Sequence, residues 1–214
     1  MPDRSVDAFV TDPPYGIELS LQWTKTPKVV IGDGRVEAQR LWKAFVPEAF
    51  RIARDDTAHV FFGTWKSPWM HDVLASAFTV KGCIVWYKRQ WGLGYYLRPR
   101  WELAFLCHKG KPPLPTKAEG DVWEHARDGR LLHPCQKPVE LLRRAVRLVA
   151  PPGVPRGRLI VCDPFAGIFS TGVAAIAEGC RFYGSEIDPR YVKVGRARLK
   201  LALQEQSQRK EGPR

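Results

Sequence analysis

The fold of this chain is decided by residues 161–172, which read Val161-Cys162-Asp163-Pro164-Phe165-Ala166-Gly167-Ile168-Phe169-Ser170-Thr171-Gly172. An apolar strand ends here, a turn of small residues follows, and a helix begins. Glu186 stands nineteen positions after Gly167, at the end of the next predicted strand. An acid at that distance accepts the hydroxyls of a ribose, so the segment predicts a nucleoside site. The alternative to a nucleoside site is that the glycine of this turn is needed for packing alone.

Two cofactor classes are excluded by what the turn lacks. A dinucleotide needs the middle glycine of G-x-G-x-x-G, and Phe169 stands at that position. A P-loop needs Gly-Lys-Ser or Gly-Lys-Thr, and the sequence contains neither. A nucleoside without a pyrophosphate, such as S-adenosylmethionine, remains.

A second informative segment, Thr11-Asp12-Pro13-Pro14-Tyr15-Gly16, ends the first predicted strand. The two prolines stiffen the backbone and hold a carbonyl beside the Asp12 carboxylate, with the Tyr15 ring two residues on. Two acceptors that grip an exocyclic amine favour a pyramidal nitrogen with a free lone pair, and Tyr15 can stack on the base. The segment therefore predicts an aromatic amine as the substrate group, and a proline-terminated strand without function is the alternative.

Strands and helices alternate along nearly the whole chain. Strands are predicted at 5–11, 58–62, 80–87, 101–107, 159–162 and 182–184, and helices at 36–54 (kinked or divided at Pro47), 69–78, 137–150, 170–178 and 191–203. Residues 80–87 and 101–107 are expected to pair, and 109–130 to form a long loop. This order predicts one α/β domain, with a mostly parallel sheet covered by helices on both faces. Residues 204–214 are polar and predict a disordered tail.

Composition narrows the class of protein. The chain of 214 residues carries 34 Lys and Arg against 22 Asp and Glu, a formal net charge of +12, which favours a polyanionic partner such as nucleic acid. No transmembrane segment or signal peptide is recognisable, so a cytoplasmic protein is expected. Five cysteines without a C-x-x-C pair argue against disulfides. His133 and Cys135 could share a metal, but no second pair completes a site, so no metal is predicted.

Together, the two segments resemble those of the beta-class DNA amino-methyltransferases, which carry an acid-Pro-Pro-aromatic tetrapeptide and a D-P-F-x-G-x-G turn on one Rossmann-like sheet. The order of the two motifs is that of the beta class. Residues 133–138, His133-Pro134-Cys135-Gln136-Lys137-Pro138, resemble the family's segment before the cofactor strand. Residues 184–188, Gly184-Ser185-Glu186-Ile187-Asp188, with Tyr191, resemble its ribose-binding strand and next helix. The similarity spans residues 5 to about 203.

The resemblance implies a function and a set of site residues. The enzyme would transfer a methyl group from S-adenosylmethionine to the exocyclic amine of a base in double-stranded DNA, with adenine favoured over cytosine because Asp12 opens the tetrapeptide. Asp12 and the Pro13 carbonyl would hold the amine, and Tyr15 would stack on the base. The catalytic set is Asp12, Pro13, Pro14 and Tyr15. The cofactor set is Asp163, Phe165, Ala166, Gly167, Ser170, Thr171, Glu186 and Lys137, the last near the cofactor carboxylate or simply solvated.

Residues 88–101 interleave basic and aromatic side chains. Cations neutralise phosphates and rings fill the space left by a flipped base, so this segment predicts DNA contact through Lys88, Arg89, Trp91, Arg98 and Arg100. It would belong to a small target-recognition region at 88–130 within a methyltransferase domain of residues 1–203. A hairpin with solvated arginines is the alternative. A homodimer is compatible with the sequence, which identifies no partner endonuclease.

Two departures from the family pattern leave a second function open. Phe169 occupies the usual second glycine, and the chain begins almost at the tetrapeptide strand, so the cofactor pocket is expected to be incomplete and S-adenosylmethionine binding weak. A non-catalytic DNA-binding relic of the same fold would carry both features.

Overall fold

The computed structural model describes residues 1–18, 31–92, 96–113, 118–128 and 135–211, with side chains through Arg209. Within these ranges, one sheet is formed by β1 (Ala8–Thr11), β2 (Thr57–Gly63), β3 (Thr79–Tyr87), β4 (Trp101–Lys109), β5 (Val122–Glu124), β6 (Ile160–Asp163) and β7 (Arg181–Gly184). The order across the sheet is β5-β3-β4-β2-β1-β6-β7. Only β4 runs antiparallel to its neighbours, β2 and β3. The predicted mostly parallel sheet and the pairing of β3 with β4 are confirmed.

Helices cover both faces of this sheet. They are α1 (Arg35–Ile52), α2 (Trp69–Ala75), α3 (Val139–Val149), α4 (Ser170–Ala177) and α5 (Pro189–Glu211), with a 3₁₀ turn at Arg156–Arg158. Successive strand residues point to opposite faces. Phe9 and Phe61 accordingly pack with α1 and α2, whereas Val10 and Val60 pack with α3 and α4. The predicted single α/β domain is confirmed.

The chain leaves β1 and β6 in opposite directions. The two strands are parallel neighbours, but β1 continues through α1 to β2 on one side, and β6 continues through α4 to β7 on the other. In open α/β sheets, ligands bind in the crevice outside the carboxyl ends of the strands at such a reversal. Asp12 follows β1 and Asp163 ends β6, so both predicted motifs stand at this crevice.

Helix α1 continues through Pro47, so of the two predicted forms, kinked or divided, the divided one is wrong; this proline lies on the exposed side of the helix. Two further local predictions are wrong. The predicted loop at 109–130 contains β5, which pairs with β3 and buries Trp123 completely. The predicted disordered tail at 204–214 is helical through Glu211, because its glutamine, glutamate and basic residues are good helix formers. Gln206 also donates a hydrogen bond to the Ile176 carbonyl.

Each helix among the described residues is too short or too polar to cross a lipid bilayer.

Candidate active site

A cavity of about 660 Å³ opens at the carboxyl ends of β1 and β6. Every residue predicted for catalysis or cofactor binding lines it: Asp12, Pro13, Pro14, Tyr15, Lys137, Asp163, Phe165, Ala166, Gly167, Ser170, Thr171 and Glu186. The two motifs are distant in the sequence and adjacent in the structure. This arrangement allows a ligand group held by one motif to reach a ligand group held by the other.

The turn after β6 has a left-handed backbone at two residues. Gly167 has φ +52° and Phe169 has φ +60°, a conformation that glycine adopts readily and phenylalanine rarely. Phe169 nevertheless leaves the cavity open, because its ring is buried away from it and lies 6.0 Å from the ring of Phe182. The ring packs against Gly195 so closely that a Cβ there would lie 2.6 Å from Phe169 Cγ. The turn thus holds Phe169 in a left-handed backbone conformation while its ring stays out of the cavity.

Glu186 ties this turn to the start of α5. Its Oε2 accepts a hydrogen bond from the Gly167 amide at 2.8 Å, and its Oε1 accepts one from the Asp188 amide at 2.8 Å. Each carboxylate oxygen can accept more than one hydrogen bond, so Glu186 retains capacity for ribose hydroxyls. Glu186 therefore shapes the turn as well as lining the cavity.

Asp163 joins the neighbouring strands β1 and β6. Its Oδ1 accepts hydrogen bonds from Thr11 Oγ1 at 2.6 Å and from the Phe165 amide at 3.1 Å. Burial raises the pKa of Asp163 to about 6, against the lowering effect of these hydrogen bonds. Asp163 therefore holds the ends of β1 and β6 at a fixed distance from each other.

The tetrapeptide turn is held by side chains from other parts of the chain. Asp33 Oδ1 accepts hydrogen bonds from the amides of Tyr15 and Gly16, at 3.0 and 2.8 Å. Trp42 Nε1 donates to the Pro14 carbonyl at 2.9 Å, and Ser67 Oγ donates to the Tyr15 carbonyl at 2.7 Å. None of these three anchoring residues was singled out from the sequence, because their contacts with the turn are tertiary.

Among the described residues, none donates a hydrogen bond to the Pro13 carbonyl. The neighbouring carbonyls of Pro14 and Tyr15 are both engaged, and Pro13 lines the cavity beside Asp12. The turn thus offers a carbonyl and a carboxylate side by side, which are the two acceptors that an amine with two hydrogens requires.

Asp12 itself is contacted by two donors. The Tyr15 hydroxyl donates to Oδ1, and Lys137 Nζ donates to Oδ2. Burial, reinforced by the charge of Asp12, raises the pKa of Tyr15 well above its usual range, so the phenol keeps its proton.

Lys137 is buried and bridges two acids. Its Nζ lies 3.2 Å from Glu102 Oε2 and 3.2 Å from the Tyr15 hydroxyl, in addition to its contact with Asp12. Burial alone would raise the pKa of Glu102, but Lys137, Lys88 and then Arg127 outweigh it and lower that pKa to about 2. Lys137 keeps its charge, because Asp12 and Glu102 raise its pKa despite burial. The alternative of a solvated surface lysine is therefore wrong.

In the described part of the basic and aromatic segment, residues 88–101, arginine side chains lie over aromatic rings at the surface. Trp91 is 61% exposed, and the Arg100 guanidinium lies 4.6 Å from its ring and 4.7 Å from the ring of Tyr87. Arg98 lies 5.6 Å from the Trp91 ring, and Arg89 pairs with Glu124 at 2.7 Å. Residues 93–95 lie outside the described ranges.

Lys88 does not belong to this surface, and its predicted contact with DNA is corrected. Its side chain is 5% exposed and its Nζ donates to Glu102 Oε1 at 2.7 Å. Strand alternation explains this placement, because Lys88 follows Ile84 and Trp86 on the inner face of β3.

No three His, Cys, Asp or Glu side chains within the described ranges come together as a metal site requires. His133, considered with Cys135 as a metal ligand, lies outside those ranges.

The sequence pattern of the DNA methylase family matches residues 6–197. The chain belongs to this family. The DNA adenine methyltransferase YhdJ of Escherichia coli is 29% identical over 250 aligned residues, covering 94% of this chain and 79% of YhdJ.

Two solved structures share the fold. The complex of M1.HpyAVI with S-adenosylmethionine aligns with a TM-score of 0.67 and 21% identity, covering 91% of this chain and 89% of that one. The cytosine-N4-specific PvuII methyltransferase aligns with a TM-score of 0.70 and 14% identity, covering 98% of this chain and 86% of that one. The predicted resemblance to the DNA amino-methyltransferases is confirmed.

Proposed function

We propose that this DNA methylase transfers a methyl group from S-adenosylmethionine to the exocyclic amine of a base in double-stranded DNA, with adenine N6 as the favoured target. The observation that carries the proposal is one cavity with two ends. At one end stand the Asp12 carboxylate and the Pro13 carbonyl, and at the other stand the Gly167 turn and Glu186.

The residues at the second end fit S-adenosylmethionine. A Cβ built on Gly167 would meet nothing within 4 Å, so a ligand has room to approach the backbone of the turn. Glu186 would accept the ribose hydroxyls, and Asp163 and Asp188 also line this end of the cavity. When bound, the cofactor supplies an electrophilic methyl group on a sulfonium sulfur.

The residues at the first end would prepare the amine. Asp12 and the Pro13 carbonyl accept its two hydrogens, which favours a pyramidal nitrogen whose lone pair is free to attack. Bound S-adenosylmethionine would supply the methyl carbon, a C–N bond would form as the C–S bond breaks and leaves its electron pair on sulfur, and Asp12 would take up the surplus amine proton. Tyr15 stacks on the base. The reaction requires alignment more than acid or base strength.

The basic and aromatic surface would bind the DNA. Arg89, Arg98 and Arg100 offer charges for phosphates, and the exposed Trp91 can fill the gap that a flipped base leaves. A net charge of +12 supports the same partner. This surface would form part of the target-recognition region predicted at residues 88–130.

Adenine is favoured over cytosine for two reasons. Asp12 at the first position of the tetrapeptide leans toward adenine in the resembling family, and YhdJ is a DNA adenine methyltransferase. The fold is shared with a cytosine-N4 enzyme, so cytosine N4 is the second candidate. A non-catalytic relic loses its main support, because the Phe169 ring lies outside the cavity.

The proposal is tested with Asp12→Ala. We expect transfer of tritiated methyl groups to DNA to fall at least about 100-fold, or roughly 2.7 kcal/mol in the barrier, because the amine loses its carboxylate acceptor. Affinity for S-adenosylmethionine, measured by titration calorimetry, should stay within about tenfold. Asp72→Ala, which removes an 86% exposed acid from α2, serves as the control and should keep full activity.

Nucleoside mass spectrometry of the methylated DNA then identifies the base. N6-methyldeoxyadenosine supports the favoured target, N4-methyldeoxycytidine the second candidate. Undiminished methyl transfer by Asp12→Ala would remove Asp12 from the mechanism.

A further inference from the structure

Both carboxylate oxygens of Asp12 already hold donors from this chain. The Tyr15 hydroxyl occupies Oδ1 and the Lys137 ammonium occupies Oδ2. Lys137 is only 7% exposed, so water competes little for its charge. An incoming amine therefore meets an acid that is already bonded on both sides.

The contact with Lys137 opposes the proposed reaction. Positive charge develops on the target nitrogen as the methyl group arrives, and the free carboxylate would stabilise that charge. A cation bonded to the same carboxylate neutralises it and repels the nitrogen at close range, in a pocket of low dielectric. Lys137 has to withdraw from Asp12 for the acid to act with its full charge.

Glu102 is placed to receive Lys137. Its Oε2 lies 3.2 Å from Lys137 Nζ, while its Oε1 is fixed by Lys88 Nζ at 2.7 Å. Glu102 stands on β4 beside Trp86 of β3, so paired strands hold its backbone in place. A small rotation of the Lys137 side chain would exchange one carboxylate for the other without exposing its charge.

We propose that Glu102 is a positioning residue for methyl transfer, which draws Lys137 from Asp12 when the target amine enters. The inference rests on the proposed function, because it assumes that Asp12 holds the amine. It also assigns Lys137 to the amine end of the cavity, whereas the sequence placed this residue near the cofactor carboxylate.

The test compares Glu102→Gln, Glu102→Asp and the double variant Glu102→Gln/Lys137→Met. Glu102→Gln keeps the size of the side chain and removes the charge, so Lys137 stays on Asp12, and kcat should fall at least about tenfold while the cofactor affinity stays within about threefold. Glu102→Asp keeps the charge at a shorter reach and should give an intermediate kcat.

The double variant decides between positioning and mere structure. Without Lys137 no cation remains on Asp12, although the Tyr15 hydroxyl still bonds to it, so the double variant should recover at least about fivefold in kcat over Glu102→Gln. Glu48→Gln, which removes an exposed carboxylate paired with Arg51, serves as the control and should match the native enzyme. Thermal unfolding of each variant shows that the compared proteins are folded.

Three outcomes would overturn the proposal: unchanged kcat in Glu102→Gln, a double variant no better than the single one, or a loss of cofactor affinity of more than about tenfold in the double variant only. If the double variant does not fold, a kcat for Glu102→Asp no higher than that of Glu102→Gln overturns it equally. Failure of the proposed function looks different, because the native enzyme would then transfer no methyl group to DNA.

Discussion

The turn after β1 and the turn after β6 face each other across one cavity, but different contacts hold them. The first turn depends on distant side chains, since Asp33, Trp42 and Ser67 each bond to its backbone. The second depends on its own left-handed residues and on Glu186. Substitution of these distant side chains should therefore disturb the chemistry at the first turn, whereas loss of Glu186 should disturb cofactor binding at the second.

The largest effect is expected from Asp33→Ala. This change leaves the amides of Tyr15 and Gly16 without their acceptor and releases the turn that carries Asp12. We expect methyl transfer to fall at least about 100-fold, because a small displacement of a catalytic group is costly, while cofactor affinity stays within about threefold.

Asp33→Asn is the matched control for this change. It can keep the accepting Oδ1 and should retain a substantial part of the activity, which steady-state kinetics would show. Equal losses in Asp33→Ala and Asp33→Asn would mean that the charge of Asp33, and not the geometry of the turn, is what matters.

A smaller effect is expected from Glu186→Ala. Loss of the hydrogen bonds that Glu186 is proposed to make to ribose should weaken S-adenosylmethionine by about 1.5 to 3 kcal/mol, the scale of hydrogen bonds to charged groups. The melting temperature should fall as well, because the amides of Gly167 and Asp188 lose their acceptor.

Calorimetry measures the affinity. Glu186→Gln keeps one accepting oxygen and puts an NH2 donor in place of the other, so it retains only one of the two backbone contacts and serves as the graded comparison. DNA affinity should hardly change in either variant. A parallel drop in DNA affinity would show that Glu186 supports the whole site and not the cofactor end alone.

The smallest effect on ligand binding is expected from Phe169→Gly. The ring lies outside the cavity, so cofactor affinity should stay within about twofold, although thermal stability falls. Removing a buried aromatic side chain costs about 3 to 5 kcal/mol, and relief of the left-handed conformation returns about 1 to 2 kcal/mol.

Gly195→Ala is the complementary variant. Its new Cβ would lie 2.6 Å from the Phe169 ring, so it should destabilise the protein without altering the turn after β1. A tenfold gain of cofactor affinity in Phe169→Gly would restore the view that this residue obstructs the pocket.

The two motifs were predictable from the sequence because each turn consists of consecutive residues. The roles of Asp33 and Gly195 were not predictable, because their contacts with the turns are tertiary and no local sequence pattern indicates them. The inward orientation of Glu102 and Lys88 could have been predicted from the sequence. Glu102 alternates with Ala104 on β4, and Lys88, the residue after β3, continues the alternation of Trp86, so pairing of these strands places both charges on the inner face. Reading Lys88 by charge alone led to its wrong assignment to DNA.

The bond between Thr11 and Asp163 has a consequence for folding. It joins residues that are 152 positions apart and locks two neighbouring strands that cannot pair until most of the chain has been synthesised. Contacts of such long range close large loops and slow the search for the native state. A nascent chain that ends before β6 carries the complete tetrapeptide but exposes one edge of β1. The chain therefore completes its active site late during synthesis. Until then the exposed edge of β1 is a site at which chaperones can bind.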